Sequence, residues 1–162
     1  MADKKRGPLG FLSAASFPYR RKSLLSPAEL EFYGVLKLAV GDRFLILLKV
    51  DVRDLCEITN RDMNQAAFNR VADEKMDFVL CDQATLAPVV AIELDDSTLY
   101  PRDRAERDAF MKELFHVIGV SLIHQRVQMG YDPAAIARWV EAALARSGGA
   151  EPQSPRPLRP AS

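Results

Sequence analysis

The sequence contains few of the residues on which several classes of protein depend. It has two cysteines and two histidines, Cys56, Cys81, His116 and His124, and they show none of the paired short spacings of a zinc site. It also lacks the glycine-rich loop that holds phosphates in nucleotide-binding domains. A structural zinc, a disulfide scaffold and a nucleotide-hydrolysing domain are therefore not expected. We interpret both cysteines as packing residues of a protein in the reducing cytoplasm.

Long apolar runs are missing as well. No segment approaches the roughly 20 apolar residues that a membrane-spanning helix needs. Residues 1–22 lack the apolar core of a signal peptide. The sequence therefore predicts a protein without a membrane partner, and it leaves the oligomeric state open.

The overall charge of zero hides an uneven distribution of charged residues. We divide the chain into a basic disordered arm, residues 1–22, a single α/β domain, residues 23–146, and a disordered Pro/Gly/Ser-rich tail, residues 147–162. The domain contains 14 basic and 20 acidic residues, so its formal charge is −6. This charge weighs against a broad nucleic-acid surface, because nonspecific DNA affinity comes mostly from Lys and Arg. The basic arm partly compensates.

Hydrophobic patterning predicts the order helix, strand, hairpin, helix, strand, helix. Ser26-Pro27-Ala28-Glu29 is typical of a helix start, and this helix is expected to end near Val40. The run 44–50 predicts a first strand that is covered on both faces. Further helices are predicted over residues 63–70, 103–118 and 132–146, and the last strand over residues 120–124. This order is typical of an α/β fold with a mixed sheet of about four strands flanked by helices.

The predicted hairpin has acidic residues at matching places. Its strands, rich in Val, Ile, Leu and Phe, are predicted over residues 75–82 and 88–96. If Asp82 pairs with Pro88, Asp77 lies opposite Glu93, and both side chains project from one face. Opposed carboxylates repel unless a cation compensates, so the pair is a candidate Mg²⁺ site. The alternative is that Asp77 and Asp95 lie at strand ends in water while Glu93 pairs with a structural Lys or Arg.

Three short runs of the sequence resemble one bacterial family: Met76–Cys81, Ala91–Ser97 and Arg104–Phe110. This is the domain of unknown function 2726, which is grouped by similarity with the restriction-endonuclease-like, PD-(D/E)XK nucleases. The resemblance covers roughly residues 17–126. It implies a Mg²⁺- or Mn²⁺-dependent nuclease acting on DNA or RNA, with Asp77 and Glu93 binding the metal. The alternative is a catalytically inactive member of the fold that binds nucleic acid or protein.

The resemblance also implies roles for side chains near this pair. The superfamily's lysine normally follows the glutamate by two residues, where this chain has Asp95. That substitution resembles the Glu-x-Asp of the very-short-patch-repair-like branch, whose histidine corresponds here to Leu99. Asp95 would then be an additional ligand or orient water, and Lys112 or Lys75 would replace the missing lysine. Glu29 is the candidate for a first-helix glutamate near the metal, although a capping box explains it equally well.

Three further side chains belong to these predictions. Arg107 and Asp108 match the family's Arg-Asp pair, which would orient the carboxylates. A lone histidine at the end of a strand, such as His124, is more often a surface or structural group than a catalyst.

Because Glu93 is predicted to face Asp77, replacing Glu93 by glutamine is expected to leave the free energy of unfolding unchanged or slightly raised.

Overall fold

The structure is a computed structural model that describes residues 19–59, 64–95 and 101–147. Most of the predicted disordered arm and tail lies outside these residues, as does Leu99. None of the helices in these ranges is long and apolar enough to cross a membrane.

Four strands form one mixed sheet, and their order in the sheet is their order along the chain. The first and second strands, and the second and third, pair antiparallel, whereas the third and fourth pair parallel. The crossover between the third and fourth strands passes through a helix, as is usual for parallel neighbours. The elements are α1 (Pro27–Val40), β1 (Phe44–Asp51), α2 (Gln65–Val71), β2 (Lys75–Asp82), β3 (Pro88–Asp95), α3 (Pro101–Val117), β4 (Ser121–Arg126) and α4 (Pro133–Ser147). The predicted α/β fold with a mixed four-stranded sheet is confirmed.

Helices cover both faces of the sheet. Helices α1 and α4 pack on one face, where Phe32, Leu36 and Ile136 are buried against Phe78 and Ile92. Helix α3 packs on the opposite face, where the buried residues are Val52, Val71, Met76, Val79, Cys81, Ala91, Met111, Phe115 and Val120. The sheet therefore separates α1 and α4 from α3, and a side chain on β2 or β3 can meet only one of these layers.

Both cysteines are free thiols, and Cys81 lies in the core against α3. Burial raises the pKa of the Cys56 and Cys81 thiols, which disfavours the reactive thiolate. These observations support the interpretation of the cysteines as packing residues.

The predicted pairing of Asp82 with Pro88 is wrong. Pro88 pairs with Cys81, after a β-bulge between Leu80 and Cys81. Asp82 instead caps the turn, where its Oδ1 accepts hydrogen bonds from the Thr85 amide at 2.9 Å and from the Ala84 amide at 3.0 Å. Beyond the bulge the predicted register holds, with the pairs Phe78↔Ile92, Val79↔Ala91 and Leu80↔Val90.

The prediction that β1 is covered on both faces is also wrong. Strand β1 is at the edge of the sheet, and Leu45 and Leu47 are 41% and 38% exposed. Their run of apolar residues resembles a central strand, but α3 packs over the middle of the sheet and reaches only the Val50 end of β1.

Candidate functional site

Asp77 lies where β1 and β2 stop being regular. Phe78 packs against Phe32 of α1, whereas Met76 packs on the α3 side of the sheet. Residues two apart in a regular strand share a face, so β2 must turn at Asp77. Opposite this position Lys49 has a φ of +54°, in the left-handed region that non-glycine residues seldom adopt. The local backbone thus directs Asp77 away from the α3 layer.

The carboxylate of Asp77 is held at both oxygens. Lys49 Nζ donates to Oδ1 at 2.7 Å, and the Leu94 amide donates to Oδ2 at 2.8 Å. Leu94 follows Glu93 in β3, so the Asp77 carboxylate contacts the backbone beside the second predicted metal ligand. This contact agrees with the predicted register of the two strands.

Lys49 also binds Glu29, and this connects the sheet to α1. The distance from Lys49 Nζ to Glu29 Oε1 is 2.5 Å. The other Glu29 oxygen accepts a hydrogen bond from the Ser26 amide at 2.7 Å, which completes the predicted capping box. Glu29 therefore performs the capping role and also approaches Asp77, so the two interpretations of this residue are compatible. We refer to Glu29, Lys49 and Asp77 as the Lys49 group.

The ionisation of the Lys49 group follows from these contacts. Burial acts to raise the pKa of Glu29, but the hydrogen bonds from Lys49 and Ser26 outweigh it and lower that pKa. Burial acts to lower the pKa of Lys49, and its bonds to Asp77 and Glu29 reverse the effect and raise it. Glu29 and Lys49 are thus charged at neutral pH.

Glu93 extends from β3 towards α3. Arg107 Nη2 lies 2.9 Å from Glu93 Oε1, and the same guanidinium donates to both Glu74 oxygens, with Nε distances of 3.0 and 2.8 Å. His124, the neighbour of Glu93 in β4, places Nδ1 3.3 Å from Oε2. We refer to Glu74, Glu93, Arg107 and His124 as the Arg107 group.

One atom of the Arg107 group is left without a hydrogen bond. Glu93 Oε2 is buried and forms no hydrogen bond with the described residues, and His124 Nδ1 lies 3.3 Å from it as an ion-pair neighbour. Burial acts to raise the pKa of Glu93, but His124 and Arg107 together lower it. Glu74 and Glu93 raise the pKa of Arg107, so the guanidinium stays charged. The structure thus presents a buried, ionised carboxylate with an unused acceptor atom.

Asp95 and the predicted lysines occupy different places. Asp95 pairs with Arg104 of α3, which is 3.9 Å from Asp108 one turn later. Lys75 pairs with Asp51 at 2.7 Å and is 57% exposed. Lys112 is exposed and lines a groove with the end of α3 and the start of β4. Neither lysine contacts Asp77 or Glu93 in the described part of the structure.

The structure thus divides the predicted metal ligands between two groups. Glu29 and Asp77 share Lys49, whereas Glu93 pairs with Arg107. The sequence analysis predicts that Asp77 and Glu93 project from one face of the sheet. In the structure they contact different cations, because β2 turns at Asp77. Within residues 19–59, 64–95 and 101–147, no three His, Cys, Asp or Glu side chains are arranged to hold a metal ion by themselves.

Two basic side chains at this site, Lys49 and His124, do not follow from the sequence analysis. The apolar pattern of 44–50 treats Lys49 as part of a core strand, although a single lysine inside such a run is a signal that could have identified it. The position of His124 favours a surface or structural group, but this residue is adjacent to Glu93 in the parallel pair β3–β4. Only the strand order reveals that contact.

Comparison with known proteins gives one positive result. Residues 21–144 match the family described as protein of unknown function (DUF2726). No curated protein and no solved structure matches the chain. The matched segment includes every strand and every residue of the Lys49 and Arg107 groups. This chain therefore belongs to the DUF2726 family.

Proposed function

We propose that this protein is a metal-dependent phosphodiesterase that acts on nucleic acid, of the PD-(D/E)XK type and the restriction-endonuclease-like fold. The observation that carries the proposal is the buried Glu93 Oε2, which is ionised and has no hydrogen-bond partner among the described residues. Burying an acceptor without a partner costs about 1–3 kcal/mol, and a ligand that fills the position removes this cost. A cytoplasmic location, inferred from the free cysteines, remains a prediction.

The donor set of the site fits a hard divalent cation. Mg²⁺ is typically held by one or two carboxylates while phosphate and water complete its six ligands, so a site with three protein ligands is not required. In this proposal Glu93 and Asp77 would hold the ion, and the predicted third ligand, Glu29, would first have to leave Lys49. A bound divalent ion would polarise a phosphoryl oxygen and lower the pKa of a bound water molecule.

The surrounding charge also favours a cation. In the Lys49 and Arg107 groups, four carboxylates accompany two permanent cations. In addition, two carboxylates, Asp95 and Asp108, lie near a single cation, Arg104. A net negative site attracts a divalent ion but repels phosphate. Lys49 and Arg107 would therefore also act on the substrate, by reducing the repulsion between the carboxylates and an approaching phosphodiester.

The roles of the remaining predicted residues follow from their positions. Asp95 is oriented by Arg104 and would serve as the additional ligand or the group that orients water. Lys112 would stabilise the charge that develops on phosphate. Lys112 lies exposed on α3, so a bound substrate could reach its side chain.

A second candidate is a noncatalytic member of the same fold that binds nucleic acid or protein. The observation that favours it is the pairing of all three strand carboxylates with cations, since Asp77, Glu93 and Asp95 contact Lys49, Arg107 and Arg104. In such a protein the ion pairs would be structural, and no metal would enter the site.

A cleavage assay combined with calorimetry separates the two candidates. Purified protein would be incubated with single-stranded, double-stranded and flap DNA and with RNA, in Mg²⁺, Mn²⁺ or EDTA. The nuclease proposal predicts metal-dependent cleavage that Glu93→Gln reduces at least about a hundredfold, together with weaker Mn²⁺ binding. Lys112→Ala should slow turnover without preventing Mn²⁺ binding.

Glu106→Gln is the matched control, because Glu106 lies on α3 and is 85% exposed. It should cleave and bind Mn²⁺ like the wild type. If the wild type neither cleaves any of these substrates nor releases heat with Mn²⁺, the nuclease proposal is wrong.

A further inference from the structure

The free edge of β4 lies at the bottom of a groove between the two helical layers. In the described part of the sheet β4 pairs only with β3, and α3 and α4 pack on opposite faces. A cavity of about 840 Å³ is nevertheless lined by residues of α3, of β4 and of α4, including Lys112, Leu122 and Arg146. The cavity must therefore pass around the edge of the sheet. We refer to it, together with its extension described below, as the β4-edge groove.

Unpaired positive charge collects in the β4-edge groove. Lys112 of α3 and Arg146 of α4 supply this charge, and Glu113 is the acidic residue among those that line the groove. Neither Lys112 nor Arg146 forms an ion pair with any described residue. Several basic side chains elsewhere on the described surface are paired, such as Arg43 with Glu141, Lys75 with Asp51 and Arg138 with Asp132. In a domain with an excess of acidic residues, this groove is thus suited to an anionic ligand.

The groove extends along β4 to the candidate site. A second hollow of about 300 Å³ shares Leu122 and Arg146 with the first, and His124 and Trp139 also line it. Trp139 is 36% exposed, so part of its indole ring is available for stacking. The His124 ring contacts Glu93 through Nδ1, and its other nitrogen lies across the ring from that contact. His124 therefore connects the β4-edge groove to Glu93.

We propose that the β4-edge groove binds single-stranded nucleic acid, with Lys112 and Arg146 on its phosphates and Trp139 stacked on a base. Proteins that bind single strands combine a basic groove with exposed aromatic rings in this way. A second copy of the chain fits less well, because pairing two β4 edges would bring like charges of both copies together. An acidic peptide would use the cations but not the indole. The identity of the ligand rests on the proposed function, whereas its binding does not require cleavage.

The test is the binding of a fluorescein-labelled oligothymidylate to the full-length protein in EDTA, followed by fluorescence anisotropy at several salt concentrations. The double variant Lys112→Ala/Arg146→Ala should bind about tenfold more weakly near 0.1 M salt. Its plot of log K against log salt should be shallower by about 0.7 for each phosphate that the variant no longer neutralises. Trp139→Leu should weaken binding by about tenfold without changing this slope.

Arg138→Ala is the matched control, since Arg138 lies on α4 beside Trp139 and is 71% exposed but does not line the groove. It should bind like the wild type. The inference is overturned if the wild type does not bind the oligonucleotide, or if the double variant has wild-type affinity and salt slope. It is also overturned if the double variant loses binding only to polyglutamate, since the partner is then an acidic polypeptide.

Failure of this inference and failure of the nuclease proposal give different results. Glu93→Gln should bind the oligonucleotide with wild-type affinity even though its cleavage is lost. A wild-type protein that binds through the groove but never cleaves would contradict the nuclease proposal alone. A protein that cleaves, and whose groove variants bind normally, would contradict the groove alone.

Discussion

Arg107 contacts only one of the two oxygens of Glu93. Its Nη2 lies 2.9 Å from Oε1, while Oε2 is buried with no hydrogen-bond partner in the described part of the chain. The guanidinium is also bound to Glu74, so its position is fixed from two sides. Glu93 is therefore neutralised and oriented by Arg107 but retains an acceptor for a further ligand.

Replacing Arg107 by alanine should lower the free energy of unfolding by about 2 kcal/mol. The half-buried side chains of Glu74 and Glu93 would lose the arginine that both contact. Because the Arg107 side chain is 34% exposed, the loss should be smaller than for a fully buried pair. Urea unfolding followed by Trp139 fluorescence measures the effect. Arg138→Ala, which removes a 71% exposed side chain, should change stability by less than about 0.5 kcal/mol. Equal losses in the two variants would contradict a structural role for Arg107.

At position 49 glycine should be less destabilising than alanine, the reverse of the usual order within a strand. Both variants lose the ion pairs with Glu29 and Asp77, but only glycine accepts the φ of +54° without strain. The expected difference is about 1 kcal/mol in favour of Lys49→Gly. Thermal or urea unfolding of the two variants tests this. At Lys37, inside α1, the same pair of substitutions should give the opposite order, with alanine the more stable by about 1 kcal/mol. An advantage for alanine at both positions would exclude backbone strain at Lys49.

The stability that Glu93 contributes should disappear in acid. The pKa of Glu93 is lower in the folded state, because the effects of His124 and Arg107 exceed that of burial. Its contribution is therefore complete above the unfolded pKa of about 4.3 and is lost as the pH falls through the lower folded pKa. Glu93→Gln should be less stable than the wild type at pH 7, and the difference should shrink below about pH 4.3. Urea midpoints measured from neutral to acidic pH test this.

This result would reverse the expectation from the sequence, in which Glu93→Gln relieves repulsion with Asp77. Glu93 contacts Arg107, so the substitution removes attraction instead. Glu106→Gln serves as the control, because the Glu106 side chain is 85% exposed, and it should change stability at pH 7 by less than about 0.5 kcal/mol. A constant difference for Glu93→Gln would show that the Arg107 contact contributes no stability.

Local signals in the sequence were sufficient for the elements that position the site. The capping box of Ser26 and Glu29 is encoded within four residues, and the structure contains it. The apolar runs of β2 and β3 predicted the hairpin, and the pairs from Phe78 to Leu80 keep the predicted register. The error at Asp82 also has a local cause, because a β-bulge pairs Pro88 with Cys81 and the Asp82 side chain caps the turn.

The ion pairs of the site could not be predicted in the same way. Lys49 is 20 residues from Glu29 and 28 from Asp77, and Glu74 is 33 residues from Arg107. Such contacts depend on how helices dock on the sheet and on the turn of β2, and periodicity contains no information about either. Patterning therefore identified the carboxylates of the site and the family resemblance pointed to Arg107, whereas the structure was needed to identify Lys49 and Arg104 as the other cations.

The contact between Arg107 and Glu93 makes the guanidinium a tethered counterion. A free divalent ion that is to use both Glu93 oxygens must compete with a cation that never diffuses away. Its apparent affinity is the intrinsic affinity multiplied by the fraction of molecules in which the pair is open. Each additional 1.4 kcal/mol, approximately, in the closed pair lowers that affinity tenfold. Dissolved salt would then have two opposite effects on the affinity for the divalent ion. It lowers the affinity by screening the attraction between the ion and the site, and it raises the affinity by weakening the ion pair between Arg107 and Glu93.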